Sequence, residues 1–360
     1  MLTIRQDIPE GLLDSQSHEL YKKLDGPTLF QLPGRRSPPI FISVLLHGNE
    51  PVGWNAIRHI LYHHQNKELP RALSLFVGNI QAARFQQRHL EEQPDFNRIW
   101  PKSADLIQGL DGNDGSTPAH NMANRVYTEM AATGLFASID VHNNTGLNPH
   151  YACVNKLDTS FLHLATLFDR IVIYFTRPEG VQSLAFSRLA PSVTLECGQP
   201  GNPQGVAHAI EYLTACLNLS EIPTHAVAKH DIELFHTVAT VRVAPGIEVG
   251  FQENNLDLRL VDNIDHLNFR ELPFNTLIGW QKNHQELALR TADEQDQEIS
   301  AHYFHLDGNA LRISRPVMPS MLTRNTKVIH QDCLCYLMER MILPDSAVDS
   351  RESAAPGCLE

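Results

Sequence analysis

The chain has 360 residues, 29 of them basic and 41 acidic, with a formal charge of −12. That length can bury a sizeable core and favours two domains. An acidic balance without clustered Lys or Arg argues against nucleic acid and membrane surfaces as partners, and no segment has the apolar length of a membrane span. The opening residues lack the apolar run of a signal peptide, and the six cysteines are scattered with no Cys-x-x-Cys pair. Both features lead to the expectation of a reduced, cytoplasmic protein.

The first 38 residues are polar and punctuated by Pro and Gly. The run Phe41-Ile42-Ser43-Val44-Leu45-Leu46 then reads as a buried strand. The polar turn after it opens on Pro51, suited to the first turn of a helix predicted over 51–64. A second strand over 73–79 sets the strand–helix–strand rhythm of a mostly parallel sheet. Residues 105–118, rich in Asp, Gly and Ser, read as a loop, 119–133 as a helix and 135–141 as the next buried strand. Strands over 171–175 and 192–196 and a helix over 203–219 complete this unit. Beyond residue 223 the texture changes to short β-rich runs at 237–243, 256–261 and 277–281. The expected architecture is α/β. A mostly parallel mixed central sheet flanked by helices spans 1–220, a smaller mainly β domain spans 221–343 and caps the site, and a disordered tail spans 344–360.

His47 and Glu50 fall where the first strand's carboxyl end meets a helix start, the usual place for ligands in open α/β sheets. Imidazole and carboxylate are two of the ligand types that build a catalytic zinc site. Spacing alone is weak, because His-x-x-Glu recurs at His89/Glu92, His208/Glu211 and His230/Glu233. His208 and Glu211 lie on an amphipathic helix, most simply as a solvated face. Only the first of the four pairs has a strand before it and a turn after it.

His142 is the best third ligand, since Ser138-Ile139-Asp140-Val141-His142-Asn143-Asn144 repeats the pattern of buried strand and polar carboxyl end. A hydrogen-bonded core histidine is the other reading of this residue. Asp140, two residues earlier on the same strand face, is placed to orient the site. Glu196 closes another buried run and is the candidate base for the attacking water; a structural ion pair is the alternative. Asn97-Arg98, Arg88 and Arg188 are candidates for stabilising developing negative charge.

Taken in order, these motifs resemble the succinylglutamate desuccinylase/aspartoacylase family, a branch of the zinc carboxypeptidase-like fold. The resemblance rests on His47-Gly48-Asn49-Glu50, Asp95-Phe96-Asn97-Arg98, Asp140-Val141-His142-Asn143 and Glu196-Cys197-Gly198, with Gly78-Asn79-Ile80-Gln81-Ala82 as a further match. Leu267-Asn268-Phe269 and the segment 272–278 resemble the C-terminal β domain of the desuccinylases. The resemblance implies one Zn2+ per chain held by His47, Glu50 and His142, with Glu196 as general base and later general acid. It implies that Asn97 and Arg98 hold a substrate carboxylate or the oxyanion, and that Arg88 polarises the scissile carbonyl. Arg188 is implied as the reader of a second carboxylate, and Asn143 as a substrate contact, although the run Asn143-Asn144-Thr145-Gly146 departs from the family's usual one.

The expected function is zinc-dependent removal of an acyl group from an N-acyl acidic amino acid, N-succinylglutamate first and N-acetylaspartate after it. The expected partner is that small molecule, and a homodimer is left open. A zinc carboxypeptidase or peptidoglycan peptidase would keep the metal and need a long cleft. A non-catalytic binding protein ranks last, because such proteins usually lose a ligand or the base.

Overall fold

A computed structural model of the chain describes residues 1–110, 117–252, 255–283 and 285–342. The tail expected over 344–360 and residues 111–116 of the expected loop lie outside the described residues. In chain order come β1 (Thr3–Arg5), β2 (Thr28–Leu32), β3 (Ile40–Val44), α1 (Val52–His63), β4 (Leu73–Val77), α2 (Ile80–Arg84), α3 (Ser103–Gln108) and α4 (Pro118–Thr133). Next are β5 (Ala137–His142), β6 (Tyr151–Val154), α5 (Thr159–Thr166), β7 (Ile171–Tyr174), α6 (Gln182–Phe186), β8 (Ser192–Glu196), α7 (Pro203–Asn218) and β9 (Glu233–Val243). The C-terminal part adds β10 (Val249–Gly250), β11 (Leu258–Leu260), β12 (Leu277–Gln281), β13 (Leu289–Asp293) and α8 (Ser300–Tyr303). It ends with β14 (Phe304–Asp307), β15 (Ala310–Ile313), β16 (Met318–Ser320), α9 (Thr326–Gln331) and β17 (Cys335–Met341).

The central sheet has the order β1-β2-β4-β3-β5-β8-β6-β7-β9-β17-β16, with β13 also paired to β9. Its middle is parallel from β4 through β3 and β5 to β8, and β6 runs antiparallel to β8. A strand covered on both faces should be apolar throughout rather than alternating. β3 shows why its run is apolar on both faces except at Ser43: Ile40, Ile42 and Val44 enter one core, where α1, α5 and α7 also bury side chains, while Phe41 enters another. There Phe41 meets Phe186, whose ring stacks on it at 4.5 Å, and the α4 residues Val126 and Met130. Each such side chain taken wholly out of water contributes about 1.5–3 kcal/mol.

The helix starts follow local chemistry. The Thr117 side chain accepts from the His120 amide ahead of Pro118, and the Asn202 side chain accepts from the Gln204 amide ahead of Pro203. Caps of this kind satisfy donors that the first helical turn leaves unpaired. α3 takes up part of the stretch expected as loop, its start held by the Lys102 amide donating to Asp105 at 2.9 Å. β6 was not expected at all, since four residues are too few to show a period.

The change of texture after residue 223 does not coincide with a change of sheet. β9 runs parallel to β7 along Glu233–His236, then passes the same edge to β13 along residues 239–243, with β17 along its other edge. The central sheet therefore continues across the expected boundary at 221. A separate five-stranded sheet of order β10-β11-β12-β15-β14 packs a second core with residues such as Leu258, Ile278 and Leu311. The molecule is thus mixed α/β, a large central sheet flanked by helices with a smaller sheet near the C-terminus.

Candidate active site

Three neighbouring parallel strands, β3, β5 and β8, end together: Val44 stands opposite Val141, and His142 opposite Glu196. Beyond Val44 the chain bends through Leu45, whose φ is +55°, and delivers His47-Gly48-Asn49-Glu50 ahead of α1. Gly48 is required by close approach: a Cβ there would lie 2.2 Å from the backbone of Ala82 and Ala83 in α2. No side chain fits that gap.

His47, Glu50 and His142 are all buried, and their ligand-type atoms lie within 4.8 Å of one another. Glu50 Oε1 is 2.9 Å from Nδ1 of His47, and Glu50 Oε2 is 2.7 Å from Nδ1 of His142. Each ring's outer nitrogen is held by another carboxylate. Asp95 Oδ1 lies 3.0 Å from Nε2 of His47, and Asp140 Oδ2 lies 2.7 Å from Nε2 of His142. Asp140 is in turn fixed by the Ser43 hydroxyl, which donates to Oδ1 at 2.7 Å. Carboxylate support of the far nitrogen is how metal-binding imidazoles are oriented, so the donor set fits a zinc ion. Burial works to raise the Glu50 carboxyl, and His47 and His142 outweigh it to hold the group far below the carboxylate range. Burial works to lower His142, and Asp140 and Glu50 raise it well above its ordinary value.

Glu196 ends β8 beside this cluster, also buried. Burial pushes its carboxyl up to about 8; the charges of Glu50 and Asp140 add to this, while His142 and a bond from Asn144 oppose it. Asn144 donates to Glu196 Oε2 at 3.2 Å. Tyr151 stands opposite Glu196 across the β6–β8 pairing, and its buried hydroxyl lines the cavity without a hydrogen-bond partner among the described residues.

The expected arginines divide. Arg88 and Arg98 both line the cavity. Arg88 donates to Asp95 Oδ2 from Nε at 3.0 Å and Nη2 at 2.8 Å, so Asp95 joins it to His47. Arg98 donates to the Asn97 carbonyl at 2.8 Å, and the Asn97 amide lies 3.4 Å from Nε2 of His142. Arg188 is not brought to the site. It is exposed just past α6 and donates to the Ser103 hydroxyl, because the short helix ends outside the cavity wall. Asn143 lines the cavity, but its side chain accepts from the Val52 amide at 3.2 Å and donates to the Gly198 carbonyl at 2.8 Å. It ties the start of α1 to the end of β8.

The other His-x-x-Glu pairs stay apart from the cavity. His208 is not simply solvated: it is half-buried against Phe168, with Nε2 2.7 Å from that residue's carbonyl. His89 lies 2.9 Å from the Leu90 carbonyl, and His230 is exposed.

Several lining residues were not anticipated. Arg177 stands at the rim, and Ser320, Met321, Val328, Asp332 and Tyr336 form a wall. That wall comes from β16, α9 and β17, more than 120 positions beyond Glu196 in the chain. Asp95 was quoted beside Asn97-Arg98 without a role, and its spacing to that pair was the available signal.

Residues 37–215 match the family model described as the succinylglutamate desuccinylase/aspartoacylase catalytic domain. The fold resembles the crystal structure of a succinylglutamate desuccinylase from Vibrio cholerae at 12% identity, covering 91% of this chain and 95% of that one, with a TM-score of 0.55. It also resembles a succinylglutamate desuccinylase from Chromobacterium violaceum, with 18% identity, 86% and 87% coverage and a TM-score of 0.53. A succinylglutamate desuccinylase/aspartoacylase from Rhodobacter sphaeroides aligns at 14% identity over 86% of this chain and 88% of that one, TM-score 0.54. No curated protein sequence matches the chain. By this match, residues 37–215 belong to the succinylglutamate desuccinylase/aspartoacylase family as its catalytic domain.

Proposed function

We propose that the protein is a zinc-dependent amide hydrolase that removes the acyl group from an N-acyl amino acid. The observation that carries this reading is the buried convergence of His47, Glu50 and His142, with the outer nitrogens of both rings anchored on Asp95 and Asp140. Bound there, zinc supplies a Lewis acid for the amide carbonyl and acidifies a water toward neutral pH.

The protein's own groups do the rest. Glu196 takes the proton of the attacking water and returns it to the leaving amine, a role supported by its buried place at the end of β8 beside the cluster. Asn144 orients that carboxyl. Arg88 and Arg98 line the cavity, and with Asp95 and Asp332 balancing their charge it is their N–H groups that would stabilise the carbonyl oxygen as it becomes negative. The wall drawn from residues 320–336 closes the cavity on one side, which supports a small substrate over the long cleft of a peptidase.

N-succinylglutamate and N-acetylaspartate are the substrates that the family match puts up for comparison, with short peptides as rivals. We keep the division at residue 221 as a proposal, the C-terminal part acting as the cap. A cytoplasmic setting is proposed as well, supported by five described cysteines that are all free and buried. No helix among the described residues is long and apolar enough to cross a membrane.

The deciding experiment is Glu196→Gln in zinc-loaded protein. Turnover should fall by roughly 10²–10⁴-fold with zinc content unchanged. Normal turnover in that variant removes the mechanism.

A further inference from the structure

Resting on the amide-hydrolase reading, we propose that Asp332 sets the substrate class. Its carboxylate fills the fork of Arg88 and Arg98, so the site takes N-acyl amino acids with a single carboxylate and an uncharged apolar group rather than di- or tricarboxylates.

Arg88 Nη2 donates to Asp332 Oδ2 at 3.0 Å, and Arg98 Nη2 donates to Asp332 Oδ1 at 2.7 Å. One carboxylate thus bridges the two guanidinium groups, in the position a ligand's carboxylate would take between them. With Asp95 on the other side of Arg88, two positive charges face two negative ones, and the pair offers an incoming anion no net charge. A second carboxylate brought there would also meet Asp332 itself, a like charge in a poorly hydrated place.

Asp332 is anchored on both sides. Its amide donates to the Val328 carbonyl at 3.0 Å to close α9, and the Leu334 amide donates to the Val241 carbonyl at 2.8 Å on the approach to β17. Ile329 buries α9 in the second core. Burial works to raise the Asp332 carboxyl, and Arg98 and Arg88 overcome it to hold the group below the ordinary carboxylate range.

The rest of the cavity fits the same substrate. Its walls include Cys153, Ile173, Phe175, Val181, Met321 and Val328, which offer an acyl chain or side chain no charge. The remaining lining guanidinium is Arg177, 38% exposed, whose Nε donates to the Glu294 carbonyl at 3.1 Å while its Nη1 and Nη2 atoms lie 3.5 Å from Glu179 and 3.9 Å from Asp296. Pairs that long and exposed are loosened by water, so the Nη atoms of Arg177 stay available to one ligand carboxylate at the rim.

The test compares N-acetyl-leucine, N-acetylaspartate and N-succinylglutamate, which carry one, two and three carboxylates. Zinc-loaded wild type should show kcat/KM for N-acetyl-leucine at least about tenfold above the other two, specificity being a difference of affinities. In Asp332→Ala the ratio of N-succinylglutamate to N-acetyl-leucine should rise by at least about tenfold. The near-isosteric Asp332→Asn serves if the alanine variant does not fold. A wild-type preference for the tricarboxylate, or an unchanged ratio in the variants, overturns the proposal.

Thermal-shift titration of metal-free protein with succinate needs no turnover. Succinate should stabilise Asp332→Ala and leave wild type unmoved, and equal stabilisation of both overturns the proposal. Should zinc-loaded wild type hydrolyse none of the three amides, the amide-hydrolase reading fails, and the succinate titration still decides the role of Asp332.

Discussion

Two parts of the molecule face each other across one cavity and are built differently. On one side, β3, β5 and β8 carry His47, Glu50, His142 and Glu196 at the ends of strands buried on both faces. Every one of these groups is held by a partner from the same sheet unit, as His142 is by Asp140 and Glu196 by Asn144. On the other side, residues 320–336 bring Asp332 and Tyr336 from α9 and β17, which attach to the sheet through β9. The first side carries the groups that can do chemistry, and the second shapes what may reach them. The difference implies that substitutions on the strand ends should remove activity outright, while those on the wall should redirect or modestly weaken it.

The largest expected effect breaks the comparison if it fails. His142→Ala removes one of three clustered donors and leaves Glu50 and Asp140 buried without their shared partner. Zinc content measured by elemental analysis should fall from one per chain to near zero, and hydrolysis should vanish with it. Retained metal and turnover would show that the cluster is not the centre.

Next comes a pH effect on metal-free protein. The Glu196 carboxyl is raised to about 8 by burial first, so its folded value lies above the unfolded one of 4.5. The folded state then favours the protonated form. Its contribution is fully present below the unfolded value and is lost as pH rises through about 8. Glu196→Gln, always neutral, should match wild type near pH 4 and be the more stable of the two near pH 9. The gap is at most about 5 kcal/mol, taken at about 1.4 kcal/mol per tenfold change. Chemical denaturation at the two pH values checks it, and a gap of the same size at both sinks it. A divalent cation at the cluster should shrink the difference, because it draws the carboxyl back down.

Asp140→Asn tests support of the ligand instead of the ligand. Zinc affinity by competition with a chelator should weaken by roughly 10–100-fold while the fold persists. The smallest effect belongs to the wall. Tyr336 reaches Arg98 through a 3.4 Å hydroxyl contact, so Tyr336→Phe should leave zinc content intact. It should change kcat/KM by about tenfold or less, the worth of one modest hydrogen bond. A loss as deep as that of His142→Ala would erase the distinction between the two sides.

What could be read along the chain was whatever a few consecutive residues decide. Apolar runs marked β3, β5 and β8, Pro51 and Pro203 marked helix starts, and His47, Glu50, His142 and Glu196 could be picked out as residues that follow or end a buried run. Gly48 was visible as a motif residue, while its cause, the backbone of α2 at 2.2 Å from a would-be Cβ, is a contact between segments.

Tertiary structure alone decided the rest. Arg188 carries the right side chain in a plausible place along the chain, and the end of α6 turns it outward to Ser103. Asp332 sits in Gln331-Asp332-Cys333, with nothing beside it to announce a role, and becomes a partner of Arg88 and Arg98 only because β17 pairs with β9. The physical reason is range: strand and helix signals arise from neighbours in sequence, whereas the charge a guanidinium meets depends on which distant strand the sheet accepts next.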